Sequence, residues 1–161
     1  MSIVADAEPR EEASAMTSIR VLIAGCEKAD RAPCRSLLAG EKGIQVVGEA
    51  PSGLDVVAAA ERLKPCVLLL DLALVNGTGR SLLPVIRRKS PQTKVLLLTG
   101  QASDARTLEA LSHGARGYLD KRTLGTYLPR AVRAVNAGEV WVPRKMVAKI
   151  IDRIARLAHT A

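Results

Sequence analysis

Three polar side chains follow directly after three short apolar runs of the sequence. Asp71 ends the run CVLLLD, Thr99 ends KVLLLT, and Lys121 follows GYLD. A carboxylate can accept a phosphoryl group or bind a hard cation. A hydroxyl group can hydrogen-bond a phosphoryl oxygen, and an ammonium group neutralises the phosphoryl charge. Because phosphoryl transfer depends mainly on positioning and electrostatic stabilisation, the three residues together indicate that chemistry.

These side chains can act together only if their strands end at the same edge of a sheet. Short apolar runs predict five strands, at residues 19–24, 44–49, 66–71, 94–98 and 116–119. Five helices are predicted between and after them, at about residues 30–39, 52–63, 81–88, 103–113 and 123–136. This alternation predicts an α/β fold with a doubly wound parallel sheet. Ligands of such sheets bind at the carboxyl ends of the strands, which also nominates Gly25 and Cys26.

Several residues refine the predicted boundaries. Ser52, Ser103 and Thr123 are expected N-caps of the second, fourth and fifth helices. The polar, glycine-bearing stretch 74–79 (LVNGTG) is expected to be a loop. Helical spacing predicts that the second helix buries a stripe formed by Leu54, Val57, Ala58 and Leu63.

The pattern changes after Gly138. Residues 139–142 (EVWV) are expected to be extended, and Pro143 is expected at the first position of a sixth helix. An apolar stripe at helical spacing marks this helix and consists of Val147, Ile150, Ile151, Ile154 and Leu157. The helix is therefore predicted either to pack on the domain or to meet another chain.

Charge is distributed unevenly along the chain. The formal net charge is +8, but residues 1–17 carry one arginine and four acids, a net −3. This polar leader is predicted to be disordered, and it lacks the basic start and apolar stretch of a signal peptide. Residues 122–161 carry eight basic and two acidic residues, a net +6. Because this tail has no groove-reading motif, we expect a solvated helix face and no sequence-specific DNA binding by this chain alone.

No apolar run is long enough to span a bilayer, so a membrane protein is not expected and the predicted location is cytoplasmic. The three cysteines, Cys26, Cys34 and Cys66, are an odd number without CxxC spacing. This pattern argues against a disulfide framework or a zinc site. It favours cysteines that pack as small apolar residues. Free thiols are the expected state.

Taken together, the motifs resemble a response-regulator receiver domain of the NarL/FixJ (LuxR-type) family. The segments that carry the resemblance are IRVLIA, QVVGEAPSGLDVVAAAERLKP, CVLLLDLALVNGTG, KVLLLTG, HGARGYLDK and VNAGEVWVPR. The resemblance implies a flavodoxin-like (βα)5 fold with strand order 2-1-3-4-5 and an extra C-terminal helix. It also implies a non-enzymatic role in two-component signalling, with a sensor histidine kinase or another signalling protein as partner.

The resemblance assigns a role to each candidate site residue. Asp71 falls on the phosphoacceptor position, Thr99 on the switch hydroxyl, and Lys121 on the invariant lysine. Tyr118 falls on the aromatic residue that changes rotamer between states. Ala73 falls where a backbone carbonyl helps to hold Mg²⁺.

The sequence departs from the family where two adjacent acids normally bind Mg²⁺. Gly25 and Cys26 stand at those positions, and Glu27 is the nearest acid and the alternative ligand. Val75 replaces the usual proline after the phosphoacceptor. Mg²⁺ needs several oxygen ligands and a thiolate is too soft to supply one, so Mg²⁺ binding is expected to be weak or absent.

Three functions stay open. The first is a receiver in which Asp71 controls an output, transcription regulation through a DNA-binding domain outside this chain. The second is a degenerate receiver that acts as a phosphorylation-independent interaction or dimerisation module. The third is a flavodoxin-like nucleotide or cofactor binder, although GCEKAD after the first strand is not a glycine-rich phosphate loop.

The expected organisation has three parts: a leader at 1–17, a receiver domain at 18–137, and a linker or C-terminal helix at 138–161. Whether the chain is a truncated regulator or a stand-alone receiver stays open. Receivers of this type often pair symmetrically, and two-fold contacts are the commonest solution for homo-oligomers, so we expect a weak or moderate homodimer.

Overall fold

The computed structural model describes residues 18–78, 82–101 and 103–160. Five parallel strands form one sheet: β1 (Ile19–Ala24), β2 (Ile44–Ala50), β3 (Val67–Asp71), β4 (Lys94–Thr99) and β5 (Gly117–Asp120). Their order across the sheet is β2-β1-β3-β4-β5. The predicted fold and strand order are therefore confirmed. The predicted leader, residues 1–17, lies outside the described residues.

Helices cover both faces of this sheet. Those in the described ranges are α1 (Lys28–Ala39), α2 (Gly53–Leu63), α3 (Leu72–Thr78), α4 (Leu82–Lys89), α5 (Asp104–Ser112), α6 (Leu124–Asn136) and α7 (Arg144–Thr160). A 3₁₀ turn, Lys121–Thr123, links β5 to α6. None of the described helices is both long enough and apolar enough to cross a membrane.

The central strand β3 separates two apolar layers. All five of its residues are buried, and their side chains alternate between the two faces. Leu68 and Leu70 pack with α2, α3 and α4, whereas Val67 and Leu69 pack with α1 and α6. A strand covered on both faces must be apolar throughout, which explains the run VLLL directly before Asp71.

The buried face of helix α2 matches the predicted one only in part. Val56, Ala59 and Ala60 are buried, with Val56 at 0 % exposure, whereas Leu54 is 85 % exposed. The predicted stripe was wrong at Leu54 and Ala58, which are exposed, whereas its other two members, Val57 and Leu63, are partly buried against the core. Apolar residues line more than one face of GLDVVAAAERL, and small alanines give a weak signal. The predicted N-cap is confirmed: the Ser52 hydroxyl oxygen accepts a hydrogen bond from the Asp55 amide at 3.2 Å.

Two further local predictions were wrong. Most of the expected loop at 74–79 is helical, because α3 covers Leu72–Thr78 and buries Leu72 and Leu74 against the core. This burial outweighs the low helix propensity of Asn76 and Gly77. Thr123 does not cap α6 with its side chain: its hydroxyl donates instead to the Asp120 carbonyl at 2.9 Å. Ser103 does cap α5, as predicted.

The C-terminal segment adds to the β5 edge of the sheet. Trp141 forms a parallel bridge to Gly117, the Tyr118 amide donates to the Trp141 carbonyl at 2.9 Å, and the Trp141 amide donates to the Arg116 carbonyl at 3.1 Å. A Cβ atom on Gly117 would lie 2.2 Å from the Trp141 carbonyl oxygen, so this pairing requires glycine. Residues 139–142 were predicted to be extended, and of these Trp141 forms the bridge to the sheet.

Helix α7 starts at Arg144, one residue after Pro143, and its first turns pack on the described part of the domain. Met146 is 1 % exposed, and Lys149 forms an ion pair with Asp104 of α5. The predicted apolar stripe exists, but Val147, Ile151 and the residues beyond it along the stripe are mostly exposed. The helix therefore packs on the domain at its start and exposes an apolar face along the rest.

The burial of α2 yields a direct test. We expect Val56→Ala to lower the free energy of unfolding by about 2 kcal/mol, because it deletes two methyl groups from a filled core. Leu54→Ala is the matched control on the same helix and should change the free energy by less than about 0.5 kcal/mol. Urea unfolding monitored by circular dichroism measures both, and the reverse ranking would contradict the observed α2 orientation.

Candidate functional site

The three predicted site residues lie at the carboxyl edge of adjacent strands. Asp71 ends β3 and is 4 % exposed, Thr99 ends β4 and is 6 % exposed, and Lys121 opens the turn after β5. The Lys121 ammonium donates a hydrogen bond to Asp71 Oδ2 at 2.5 Å. No hydrogen bond joins the Thr99 hydroxyl to either group within the described residues. The structure therefore brings Asp71 and Lys121 into contact and places Thr99 at the neighbouring strand end.

Both oxygens of the Asp71 carboxylate have partners. The amide of Ala73, in the first turn of α3, donates to Asp71 Oδ1 at 2.9 Å, while Lys121 contacts Oδ2. A buried carboxylate is costly unless it is hydrogen-bonded and its charge is balanced, and charge-assisted bonds of this kind are the strong ones. The helical start at Leu72 thus holds the carboxylate in one orientation.

Asp30 is a site residue that the sequence analysis did not identify. It lies in the first turn of α1, and its Oδ1 atom is 3.4 Å from the Lys121 ammonium. Lys121 therefore bridges two carboxylates from different elements. The available signal was positional: an acid in the first turn of a helix that follows a strand lies at the carboxyl edge of the sheet.

Glu27, the alternative metal ligand, lies elsewhere. It is the exposed N-cap residue of α1, and its amide donates to Asp30 Oδ2 at 3.3 Å. Cys26 is also exposed and is a free thiol. Among the described contacts, neither side chain reaches Asp71.

Gly25 provides space for Asp30. A Cβ atom at position 25 would lie 3.2 Å from the Cβ of Asp30 and 3.9 Å from the Cβ of Asp71. The φ angle of Gly25 is outside the left-handed region, so the backbone alone does not demand glycine. Because position 25 has no side chain, the first turn of α1 has room to place Asp30 beside Lys121.

A second cation, Arg31, lies beside this edge. Its Nη1 atom donates to the Gly25 carbonyl at 2.5 Å and its Nε atom to Glu49 Oε1 at 3.0 Å. Hydrogen bonds from Arg35 and then Arg31 hold the pKa of the Glu49 carboxyl below its usual range. Glu49 thus fixes Arg31 against the backbone at the end of β1.

The balance of forces at Lys121 favours its charged form. Partial burial of the ammonium lowers the pKa of Lys121, but the hydrogen bond and charge of Asp71, reinforced by Asp30, outweigh it. The pKa of Lys121 is therefore raised above its usual value. The site is held by an ion-paired lysine at every physiological pH.

The residues at this edge do not fit the Mg²⁺ site that the resemblance implies. In the part of the chain that the structure describes, the carboxylates at this edge are those of Asp30 and Asp71, and Lys121 contacts both. No group of three or more Asp, Glu, His or Cys side chains placed to hold a metal exists in the described ranges. A hard cation that needs several oxygen ligands would have to displace the ammonium group.

Tyr118 and Thr99 line a groove of about 590 Å³ near the carboxyl ends of β4 and β5. Asp104, Trp141 and Lys145 also line it, so the C-terminal segment forms one of its walls. Burial, and then the charge of Asp104, raise the pKa of the Tyr118 phenol. The two predicted switch residues therefore lie together, next to the segment that leads into α7.

Comparison with known proteins agrees with this geometry. The sequence model of the family described as "Response regulator receiver domain" matches residues 21–133. Response regulator protein VraR of Staphylococcus aureus is 32 % identical over 142 residues, which cover 88 % of this chain and 68 % of VraR.

Solved structures give the same result. The isolated REC domain of RcsB from Salmonella enterica serovar Typhimurium, in its apo form, superposes with a TM-score of 0.73 at 25 % identity, covering 82 % of this chain and 98 % of that one. The receiver domain of a putative response regulator NarL from Mycobacterium tuberculosis gives 0.70 at 27 % identity, covering 76 % and 98 %.

The ion pair at the strand edge can be tested by removing its cation. Lys121→Met leaves the Asp71 carboxylate buried without a counter-charge, and we expect a loss of about 2 kcal/mol in the free energy of unfolding. Because the pKa of Lys121 is raised by folding, this difference should persist up to about pH 10 and shrink as pH rises through the folded-state pKa. Lys28→Met, at an exposed lysine, is the control, and chemical denaturation at several pH values is the measurement.

The missing acids can be tested by restoring them. Wild-type protein should bind Mg²⁺ only weakly, with a dissociation constant of about a millimolar or more. Gly25→Asp combined with Cys26→Asp should tighten binding, because a carboxylate at position 25 lies beside both Asp30 and Asp71. Calorimetric Mg²⁺ titration compares the two proteins. If the wild type binds Mg²⁺ tightly and Asp71→Asn does not, the conclusion that these residues do not fit Mg²⁺ is wrong.

Proposed function

Since the chain belongs to the response-regulator receiver family, we propose that it is a two-component receiver in which Asp71 accepts a phosphoryl group and thereby controls an output. The observation that carries the proposal is the pairing of Asp71 at the end of β3 with Lys121 at the end of β5, at 2.5 Å. The family is a non-enzymatic signalling family, and membership implies a cognate histidine kinase as partner.

The transfer requires little from the receiver beyond positioning. A kinase phosphohistidine would lose its P–N bond as an Asp71 oxygen forms a P–O bond, and the imidazole regains its lone pair. Lys121 is already within hydrogen-bond reach of that oxygen and would follow the new negative charge. Its release from one carboxylate oxygen is the local change that starts the response.

The response would pass to the groove that contains Thr99 and Tyr118. Thr99 ends the strand next to Asp71, and its hydroxyl is the nearest switch candidate for a phosphoryl oxygen. Movement of Thr99 opens space for Tyr118, whose backbone is hydrogen-bonded to Trp141. The path from Asp71 to the C-terminal segment thus runs through two neighbouring strands.

A second candidate is supported by a specific observation. Gly25 and Cys26 replace the acids that normally bind Mg²⁺, and Lys121 already balances the charges of Asp71 and Asp30. Such a site is stable without a metal or a phosphoryl group. The chain would then act as a phosphorylation-independent interaction or dimerisation module.

The proposal extends to the surroundings of the domain. We place a receiver at 18–137 and a linker with α7 at 138–161, acting in the cytoplasm as a weak or moderate homodimer. The output would be transcription regulation through a DNA-binding domain, which is not among the described elements. The chain alone is not expected to bind a defined DNA sequence.

The two candidates differ in what a small phosphodonor does. Because Mg²⁺ binding is expected to be weak, incubation with acetyl phosphate and Mg²⁺, followed by intact-mass measurement, should show a single phosphoryl adduct slowly or not at all, and any adduct should be absent in Asp71→Asn. Beryllofluoride with Mg²⁺ should then shift the NMR signals of Thr99 and Tyr118. Slow adduct formation with these shifts supports the phosphoacceptor. No adduct and no shift, with partner binding equal in wild type and Asp71→Asn, supports the interaction module.

A further inference from the structure

A second groove lies at the amino ends of β4 and β5, whereas Asp71 lies at the carboxyl end of β3. It has a volume of about 610 Å³ and is formed by the end of α4, the turn into β4, and the turn between α5 and β5. Lys94 begins β4 and Thr99 ends it, so the groove lies about 16 Å from the phosphoacceptor edge. The proposed phosphorylation chemistry makes no use of it.

Basic side chains dominate the lining of this groove. Arg87, Lys94 and Arg116 contribute permanent positive charges, His113 contributes an imidazole, and none of the described lining residues is acidic. Within the described ranges, no carboxylate lies within ion-pair distance of any of these cations. This contrasts with the carboxyl edge of the sheet, where Lys121, Arg31 and Arg35 all have acidic partners.

The backbone at one end of the groove brings Arg87 close to the turn that leads into β5. Gly114 has φ of +109°, and a Cβ atom there would lie 3.4 Å from Arg87 Nη1. The Arg87 guanidinium therefore lies over the glycine turn and approaches the residues that lead into β5. The Arg116 amide donates to the Val95 carbonyl at 2.8 Å, which fixes the other wall.

Hydrogen bonds hold the turn into β4, which lines the groove at Thr93. Ser90 is fully buried, and its hydroxyl donates to Thr93 Oγ1 at 2.6 Å because the Thr93 hydroxyl itself donates to the Pro65 carbonyl at 2.7 Å. Ile86 and Val95 add buried apolar surface beneath the charges. A groove with an apolar floor and convergent polar groups has the character of a small-molecule site.

We propose that this groove binds a phosphorylated small molecule, of the nucleoside phosphate class, through Arg87, Lys94 and Arg116. The volume is within the range of small-ligand sites. Arginine forks bind phosphate oxygens in a bidentate manner, and unpaired cations need not break an existing ion pair to do so. The apolar floor favours a ligand that carries a ring as well as phosphates.

The test uses the full chain without Mg²⁺, so that it is independent of phosphorylation at Asp71. Calorimetric titrations with ADP, inorganic pyrophosphate, adenosine, an oligonucleotide and an acidic peptide are run at physiological salt, and NMR follows the amides of residues 113–116. Arg87→Gln with Arg116→Gln removes two groove cations. Arg88→Gln with Arg106→Gln is the matched control, with the same loss of charge on exposed arginines that do not line the groove.

We expect ADP to bind and shift the amides of residues 113–116, and the groove variant to bind about tenfold more weakly or worse, while the control variant is unchanged. Equal binding of pyrophosphate and ADP identifies phosphate as the recognised group; tighter ADP binding adds the nucleoside. Equal weakening in both variants, binding of an oligonucleotide or acidic peptide but not of ADP or pyrophosphate, or shifts confined to other residues would overturn the proposal. Urea unfolding of both variants verifies that they fold.

Discussion

Burial of a carboxylate at the end of the central strand is the constraint on which the site depends. The sheet presents Asp71 at an edge where helices cover both faces, so the charge has to be balanced from inside the protein. Lys121 supplies the balancing charge, and Ala73 and Asp30 complete the hydrogen-bonded set around it. Together with β3, which carries Asp71, these partners come from four different elements, so their meeting point requires the native strand order.

Gly25 and Asp30 illustrate how one position can compensate for another. A side chain directly after β1 would crowd the first turn of α1, and its absence lets an acid from that turn approach the lysine. The total number of carboxylates near Asp71 is thus lower than in a site with two adjacent acids, but it is not zero. A single lysine can neutralise this set, whereas a larger acidic cluster would repel itself without a metal.

Sequence reasoning located the strands and the three residues at their ends, because apolar runs and strand-end polar residues are strong one-dimensional signals. The strand order was implied by the resemblance to the receiver family. It failed where the answer depended on packing. Leu54 and Val56 are both apolar, and only the neighbouring strands decide which of them is buried. The position of Asp30 in the first turn of the helix after β1 was an available signal, but its contact with Lys121, 91 residues away, depends on how the two elements pack. The helix α3 was missed because Asn and Gly suggested a turn where buried leucines impose a helix.

The pairing of Trp141 with Gly117 has a consequence for self-association. Parallel sheets end in strands whose outward amides and carbonyls can template another chain, and such edges promote aggregation when they are exposed and flat. Two backbone hydrogen bonds from the C-terminal segment occupy part of the β5 edge, and the aromatic ring of Trp141 lies beside Tyr127 above it. The close approach of Trp141 to Gly117 therefore leaves fewer free backbone groups at β5 with which another chain could form an intermolecular β-sheet.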